Sequence, residues 1–154
     1  MVKHATLPPH PVNLFGHFEF TVKRSEWSRG VPNARLYREF EVGDFGTQIG
    51  RCCLGFACNA LGLEDRELNN ISTVDDLVMH QIVTVLALGP LKGLVNNIGY
   101  SNRPSPWANS IMRINDCRLG TELAFELGIS SDADRERLLI DAFSTKNISI
   151  LFVD

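Results

Sequence analysis

Alternation of apolar and polar residues predicts one strand near each end of the chain. Residues 18–23 read Phe-Glu-Phe-Thr-Val-Lys, and residues 148–153 form an apolar run, Ile-Ser-Ile-Leu-Phe-Val. A repeat of two residues is typical of a strand with one buried face. We expect these two strands to pair in a small antiparallel sheet that ties the two ends of the chain together.

Helical spacing of small and apolar residues predicts a helix that begins near Cys53 and ends at Leu61. Gly62 suits the left-handed position that closes a helix. Gly55 lies inside this helix, where glycine costs about 1 kcal/mol relative to alanine. We therefore expect another backbone segment to approach the helix closely at Gly55.

Serine residues predict the starts of two further helices. Ser105 precedes Pro106, which favours a helix through about Ile114. Ser131 precedes Asp134 by three residues, in the pattern of a capping box. We expect the helix that follows to span residues 132–144, with one apolar and one charged face. The inward-facing residues would be Leu138, Leu139, Ala142 and Phe143, and the outward-facing ones Arg135, Glu136 and Asp141.

The middle of the chain gives weaker signals. Ser72 and Asp75 repeat the capping pattern, so we expect residues 73–81 to be helical. Residues 82–88 fit either a helix or a buried strand. Residues 89–105 are rich in Gly, Pro and Asn, which predicts mostly loop.

Together these elements predict a single α+β domain over residues 14–154, with several short helices packed against the small sheet. The length of 154 residues suits one domain with an apolar core of its own. Residues 1–13 contain three prolines and are expected to form an extended, loosely attached tail.

The charge balance argues against a dedicated nucleic-acid-binding protein. Fifteen Lys and Arg residues stand against 18 Asp and Glu, a net charge of −3, whereas phosphate binding usually needs a basic excess. The N-terminal residues lack the apolar core of a signal peptide, and the longest apolar run, residues 82–88, is far short of the roughly 20 residues that span a bilayer. We expect no membrane contact and a cytoplasmic location.

Cysteines are the first candidates for chemistry. Without a secretory signal, the four cysteines are expected to be reduced. Cys52 or Cys53, near the start of a helix, could have a lowered pKa because of the helix dipole and act as a nucleophile. His80 or His17 could serve as its base, and Asn115 or Asp116 could orient that histidine. The structural alternative is that both thiols pack in the core.

A zinc site built on the cysteines is a weaker hypothesis. Zinc prefers closely spaced thiolate pairs, and Cys53 and Cys58 would lie about 140° apart around a regular helix. Cys117 and a distant histidine would have to complete the site. We expect no metal and no cofactor.

Asn115 and Asp116 are candidate binding residues at the end of the helix that begins at Pro106. Asn and Asp at such a position readily bond to nearby backbone, and the functional alternative is contact with a ligand. Trp107, in the same helix, is a candidate hot spot for a partner, with a place in the core as the alternative. No phosphate-binding loop of either common type is present.

Several short motifs resemble a known group of proteins. These motifs are Ser-Glu-Trp-Ser-Arg-Gly at residues 25–30, Cys-Cys-Leu-Gly at 52–55, Ile-Asn-Asp at 114–116, Arg-Glu at 135–136 and Ile-Leu-Phe-Val-Asp at 150–154. In this order they resemble a family of small, uncharacterised bacteriophage and prophage proteins with a Cys-Cys-Leu-Gly helix and an Asn-Asp turn.

The resemblance extends from Ser25 to Asp154 and carries over no catalytic residue. It implies an accessory protein that acts in the cytoplasm of an infected bacterium. We expect such a protein to bind a host protein or a small, nucleotide-like ligand, for example in counter-defence. The alternative is a small cysteine-dependent enzyme that uses Cys52 or Cys53 with a histidine.

Overall fold

The computed structural model describes residues 2–7, 16–98 and 101–154. Within these ranges, strands and α-helices are joined by turns and short 3₁₀ segments, which confirms the predicted α+β class. The strands are β1 (Phe18–Lys23), β2 (Arg38–Glu41), β3 (Thr47–Gly50), β4 (Val95–Ile98), β5 (Ser101–Pro104) and β6 (Ile148–Val153). The α-helices are α1 (Cys53–Leu61), α2 (Asp65–Leu68), α3 (Val74–Met79), α4 (Pro106–Asp116), α5 (Glu122–Leu127) and α6 (Asp132–Ser144).

The two terminal strands pair over their whole length. Phe18 lies opposite Ile148 and Lys23 lies opposite Val153, so β1 and β6 run parallel. The predicted pairing is confirmed, but the antiparallel direction is wrong. Alternation marks the buried face of a strand and does not encode its direction. Parallel neighbours need a long connection, and residues 24–147 supply it.

Aromatic side chains join this sheet to the long helices. The rings of Phe20 and Phe143 meet edge to face with centroids 5.1 Å apart, and Trp107 meets Phe143 in the same way at 5.7 Å. Phe18, Phe20 and Phe143 are buried, as the alternation and the helical spacing predict. These contacts form one part of the core, which continues through buried side chains of α1, α3 and the 3₁₀ segment Leu86–Leu94.

Local capping signals place the helix starts correctly. The Ser105 hydroxyl accepts from the Ala108 N–H at 3.1 Å, with Pro106 as the first residue of α4. The Ser131 hydroxyl accepts from the N–H of Asp134 at 3.3 Å. The Asp134 carboxylate, however, accepts from the N–H and hydroxyl of Ser130, so it does not close a capping box with Ser131.

Helix α1 lies against the chain segment that precedes β2. An added Cβ at Gly55 would lie 1.8 Å from the carbonyl oxygen of Leu36, which confirms the predicted close approach. Gly62 closes the helix with a φ of 107°, also as predicted. This contact fixes the start of α1 and, with it, Cys52 and Cys53.

The middle of the chain departs from the prediction. Helix α3 begins at Val74 and its cap residue is Thr73, so Ser72 is not the cap. Residues 82–88 form no single element, because Val83 makes a β-bridge and a 3₁₀ segment, Leu86–Leu94, follows. Residues 95–104, predicted as loop, contain the paired strands β4 and β5. Tertiary contacts override weak local preference here.

Residues 2–7 are attached to the body of the protein, in contrast to the loose attachment that the prolines suggested. The N–H of His4 donates to the carbonyl of Ile82 at 2.9 Å, and its imidazole pairs with Glu67 at 2.5 Å. Leu7 is buried. The remainder of the predicted tail, residues 8–13, lies outside the described residues.

None of the helices in the described part of the chain is both long enough and apolar enough to cross a membrane.

Candidate functional site

An open groove of about 900 Å³ lies beside the C-terminal half of α4. It is bounded by the loop before β2, by the start of α3 and by the segment from α4 into α5. Apolar atoms supply most of the exposed wall surface, although eight of the 13 lining residues are polar or charged. The lining residues are Pro32, Asn33, Ala34, Ser72, Thr73, Asn109, Met112, Arg113, Asp116, Cys117, Arg118, Thr121 and Leu123.

Asp116 brings a carboxyl group into this groove. It is the last residue of α4 and is half-buried. Burial raises the pKa of Asp116 to about 6, although hydrogen bonds from the Asn115 amide and the Ala34 N–H and the positive charge of Arg135 oppose the rise. A carboxyl with this pKa changes its charge close to neutral pH, as binding and catalytic carboxyls often do.

Asn115 holds Asp116 in place. Its Nδ2 group donates to the Asp116 carboxylate at 2.7 Å and to the Ser28 carbonyl at 3.0 Å. Its Oδ1 atom accepts from the Trp27 indole at 2.8 Å and from the Cys53 N–H at 3.2 Å. An asparagine amide has two donors and two acceptor positions, and here all four are used. Asn115 therefore positions its neighbour and has no group left for a ligand.

Arg135 fixes the end of α4 from a fully buried position. Its guanidinium donates to the carbonyls of Ile114, Asn115 and Cys117 at 2.5, 3.0 and 2.9 Å, and its Nε donates to Asp132 at 3.1 Å. The outward orientation expected for Arg135 is wrong. The last carbonyls of a helix lack partners inside the helix, and a cation there also complements the helix dipole.

Two arginines share the groove with the Asp116 carboxyl group. Arg113 and Arg118 line the groove, and both are exposed. Among the described residues neither arginine forms an ion pair. The charged residues of the lining are thus two arginines and one aspartate, a net positive lining in a chain of net charge −3.

The structure brings the cysteine pair next to the Asn-Asp pair. The Cys53 N–H donates to Asn115 Oδ1, and the negative charge of Asp116 contributes to raising the pKa of both the Cys52 and the Cys53 thiol. Burial raises the pKa of the Cys52 thiol to about 12 and raises that of Cys53 well above its usual range. The lowered pKa expected from the helix dipole is therefore wrong, because loss of solvent outweighs the dipole.

His80 and Trp107 lie away from this cluster. His80 caps the far end of α3, whereas Ser72 and Thr73 at the near end line the groove. Within the described chain, no hydrogen bond joins His80 to a thiol. The Trp107 indole donates to the Ala142 carbonyl at 2.9 Å and packs on Phe143, so the partly buried Trp107 packs against the core.

No group of three or more His, Cys, Asp or Glu side chains in residues 2–7, 16–98 and 101–154 is arranged to hold a metal ion. All four cysteines are free and buried.

Comparison of the chain with protein-family models, curated proteins and solved structures finds no match.

Sequence reasoning singled out Asp116 but missed the arginines beside it. Arg113 and Arg118 flank the Asn-Asp pair in the sequence, and that closeness was the available signal. It is a weak signal, because charged residues near the end of a surface helix are usually solvated. The groove itself is formed by segments up to about 90 residues apart, which no local pattern reveals.

Proposed function

We propose that this protein acts by binding a small molecule in the groove beside Asp116. The observation that carries the proposal is the groove itself, a cavity of about 900 Å³ with mainly apolar walls and one fixed carboxyl group. Small-molecule sites are typically of roughly 300–1,000 Å³, lined by apolar side chains with a few polar groups that set orientation.

The rigidity of the carboxyl group supports binding. Asn115 and Arg135 are both buried, and their hydrogen bonds reach residues 27–28, Cys53 and the end of α4. The position of Asp116 is thus set before any ligand arrives. A site organised in advance loses less entropy when it binds.

The alternative, a cysteine-dependent enzyme, gains no support from the geometry. A nucleophilic thiol needs a lowered pKa, access to substrate and a nearby base. Cys52 and Cys53 are 4% and 0% exposed, and burial raises the pKa of each. His80 lies at the far end of α3.

The biological setting of the proposal comes from the resemblance to small phage proteins. On that basis we propose an accessory protein that binds its ligand in a bacterial host. A host protein is the second candidate partner. The observation that favours it is Phe125, which is 86% exposed on α5, two residues from the groove residue Leu123. Co-purification from host lysate with wild type and with Phe125→Ser tests this alternative, and equal recovery with both variants would contradict it.

A ligand screen on two matched variants tests the main proposal. Asn109 and Ser110 are neighbouring exposed residues of α4, but only Asn109 lines the groove. Asn109→Trp should fill part of the groove, whereas Ser110→Trp adds the same side chain outside it. Binding of metabolite mixtures is followed by ligand-observed NMR.

We expect wild type and Ser110→Trp to bind the same compounds, and Asn109→Trp to bind them at least about tenfold more weakly, since the ring occupies ligand volume. Equal binding by all three proteins, or no binding by wild type at millimolar concentration, would overturn the proposal.

A further inference from the structure

We infer that the groove recognises small organic anions of the nucleoside monophosphate class, in which a flat ring with an N–H donor is linked to a phosphate. This inference rests on the proposed function and names the chemistry of its ligand. Three features of the groove carry it: its apolar walls, its fixed carboxylate and its two exposed arginines.

The apolar walls suit a flat ring. Pro32 and Ala34 line the groove from the loop before β2, Met112 lines it from α4, and Leu123 lines it from α5. Proline and methionine offer surfaces against which a heterocycle can stack without a specific polar partner. The ring would thus lie between the loop and the two helices.

The carboxylate of Asp116 suits a donor on that ring. Internal hydrogen bonds to this carboxylate come from the Asn115 amide and the Ala34 N–H. An ionised carboxylate has about four acceptor positions. Because Asp116 also lines the groove, acceptor capacity remains for an N–H or amino group of a ligand.

The arginines suit the phosphate. Arg118 lines both the main groove and an adjoining pocket of about 350 Å³, which is also lined by Arg29 and Arg135. In that pocket Arg29 pairs with Asp132, and Arg135 is occupied by backbone carbonyls. Arg113 and Arg118 form no ion pair within residues 2–7, 16–98 and 101–154. Guanidinium groups bind phosphate through paired hydrogen bonds.

A cationic ligand fits less well. Such a ligand would pair with Asp116, but it would face Arg113 and Arg118 across the same groove. With two arginines against one aspartate, the lining favours an anion.

The test compares each nucleoside monophosphate with its nucleoside, and a groove variant with a control variant of the same net charge. Ribonucleoside monophosphates and the corresponding nucleosides are titrated into the full chain by calorimetry. The variant Arg113→Gln/Arg118→Gln removes the two groove arginines. Arg66→Gln/Arg103→Gln removes two exposed arginines outside the groove, so it carries the same net charge.

We expect at least one monophosphate to bind wild type and the control variant about tenfold or more tightly than its nucleoside. This preference should vanish in Arg113→Gln/Arg118→Gln and should weaken as salt is added.

Two results would overturn the inference and leave the proposed function standing. One is equal affinity for nucleoside and monophosphate. The other is binding of neither compound while the screen with Asn109→Trp still finds a groove ligand. If no compound binds in either experiment, the inference and the proposed function both fail.

Discussion

Asp116 is a half-buried carboxyl whose charge is controlled by its surroundings. Burial raises its pKa to about 6 from the usual 3.8. Between about pH 4 and pH 6 the folded protein therefore holds a proton that the unfolded chain releases. The folded state loses stability as the pH rises through this window, because the ionised form is disfavoured by burial.

Comparison of wild type with Asp116→Asn measures this effect. We expect the unfolding free energy of wild type, relative to the variant, to fall by about 1–2 kcal/mol from pH 4 to pH 7. The change is smaller than the full pKa shift implies, because solvent screens a half-buried carboxyl. Denaturant unfolding at several pH values provides the measurement. A difference that is constant, or that rises with pH, would contradict the raised pKa.

Asn115 is expected to be the most sensitive single residue of the site. Asn115→Ala removes four hydrogen bonds and leaves the Trp27 indole and the Cys53 N–H without an acceptor in a buried region. Since each unsatisfied buried group costs about 1–3 kcal/mol, the loss should be about 3 kcal/mol or more. Asn109→Ala, an exposed position of the same helix, should change stability by less than about 0.5 kcal/mol. Similar melting of the two variants would show that the Asn115 network contributes little.

At the scale of single residues, sequence reasoning found the Asn-Asp pair and misjudged Arg135. Asn115 and Asp116 stand out because both lie at the end of a capped helix. Arg135 looked like a solvent-facing charge because its acceptors, the carbonyls of residues 114, 115 and 117, lie about 20 residues earlier in the chain. Burial of a charge is set by such distant partners.

At the scale of elements, Arg135 closes α4 from outside the helix. Arg135→Leu removes the charged donor of three carbonyls and one of the two arginine partners of Asp132; the Asn115 carbonyl keeps the Gly30 N–H, and Asp132 keeps Arg29. We expect a loss of about 2–4 kcal/mol in unfolding free energy, because buried carbonyls lose their charged donor. Arg137→Leu, on the exposed face of the same helix, is the control and should cost less than about 1 kcal/mol. Thermal melting distinguishes the two variants, and an equal effect would exclude the capping role.

Gly55→Ala tests whether helix propensity or steric contact controls the stability of α1. Helix propensity alone makes Gly55→Ala stabilising by about 1 kcal/mol. The new Cβ would lie 1.8 Å from the backbone oxygen of Leu36, however, so α1 or the facing segment must move. We therefore expect a destabilised protein in chemical denaturation. A more stable variant would mean that α1 does not approach this segment closely.

Local signals predicted several elements well and their pairing less well. Ser105 and Ser131 mark helix starts because the capping bond joins residues only three apart. The parallel direction of β1 and β6, and the pairing of β4 with β5, depend on contacts that a local pattern does not record. Pairing partners were therefore harder to predict than helix boundaries.

At the scale of the whole molecule, α4 connects the core with the groove. Trp107 in its first turn packs on Phe143 in the core, while Asp116 at its end lines the groove. The parallel sheet joins β1 to β6, and Arg24, directly after β1, forms two hydrogen bonds with Glu136 of α6, at 2.7 and 2.9 Å. The groove thus lies at the end of a helix whose start is fixed in the core.

The most direct test of the account is to map where a ligand binds. The tightest compound from the screen is titrated into labelled protein, and backbone amide shifts are followed by NMR. We predict the largest shifts at groove residues on three separate segments, Ala34, Asn109 and Thr121. Shifts confined to the charged pocket around His4 and Glu67, with the groove amides unchanged, would contradict the claim that the groove beside Asp116 is the binding site.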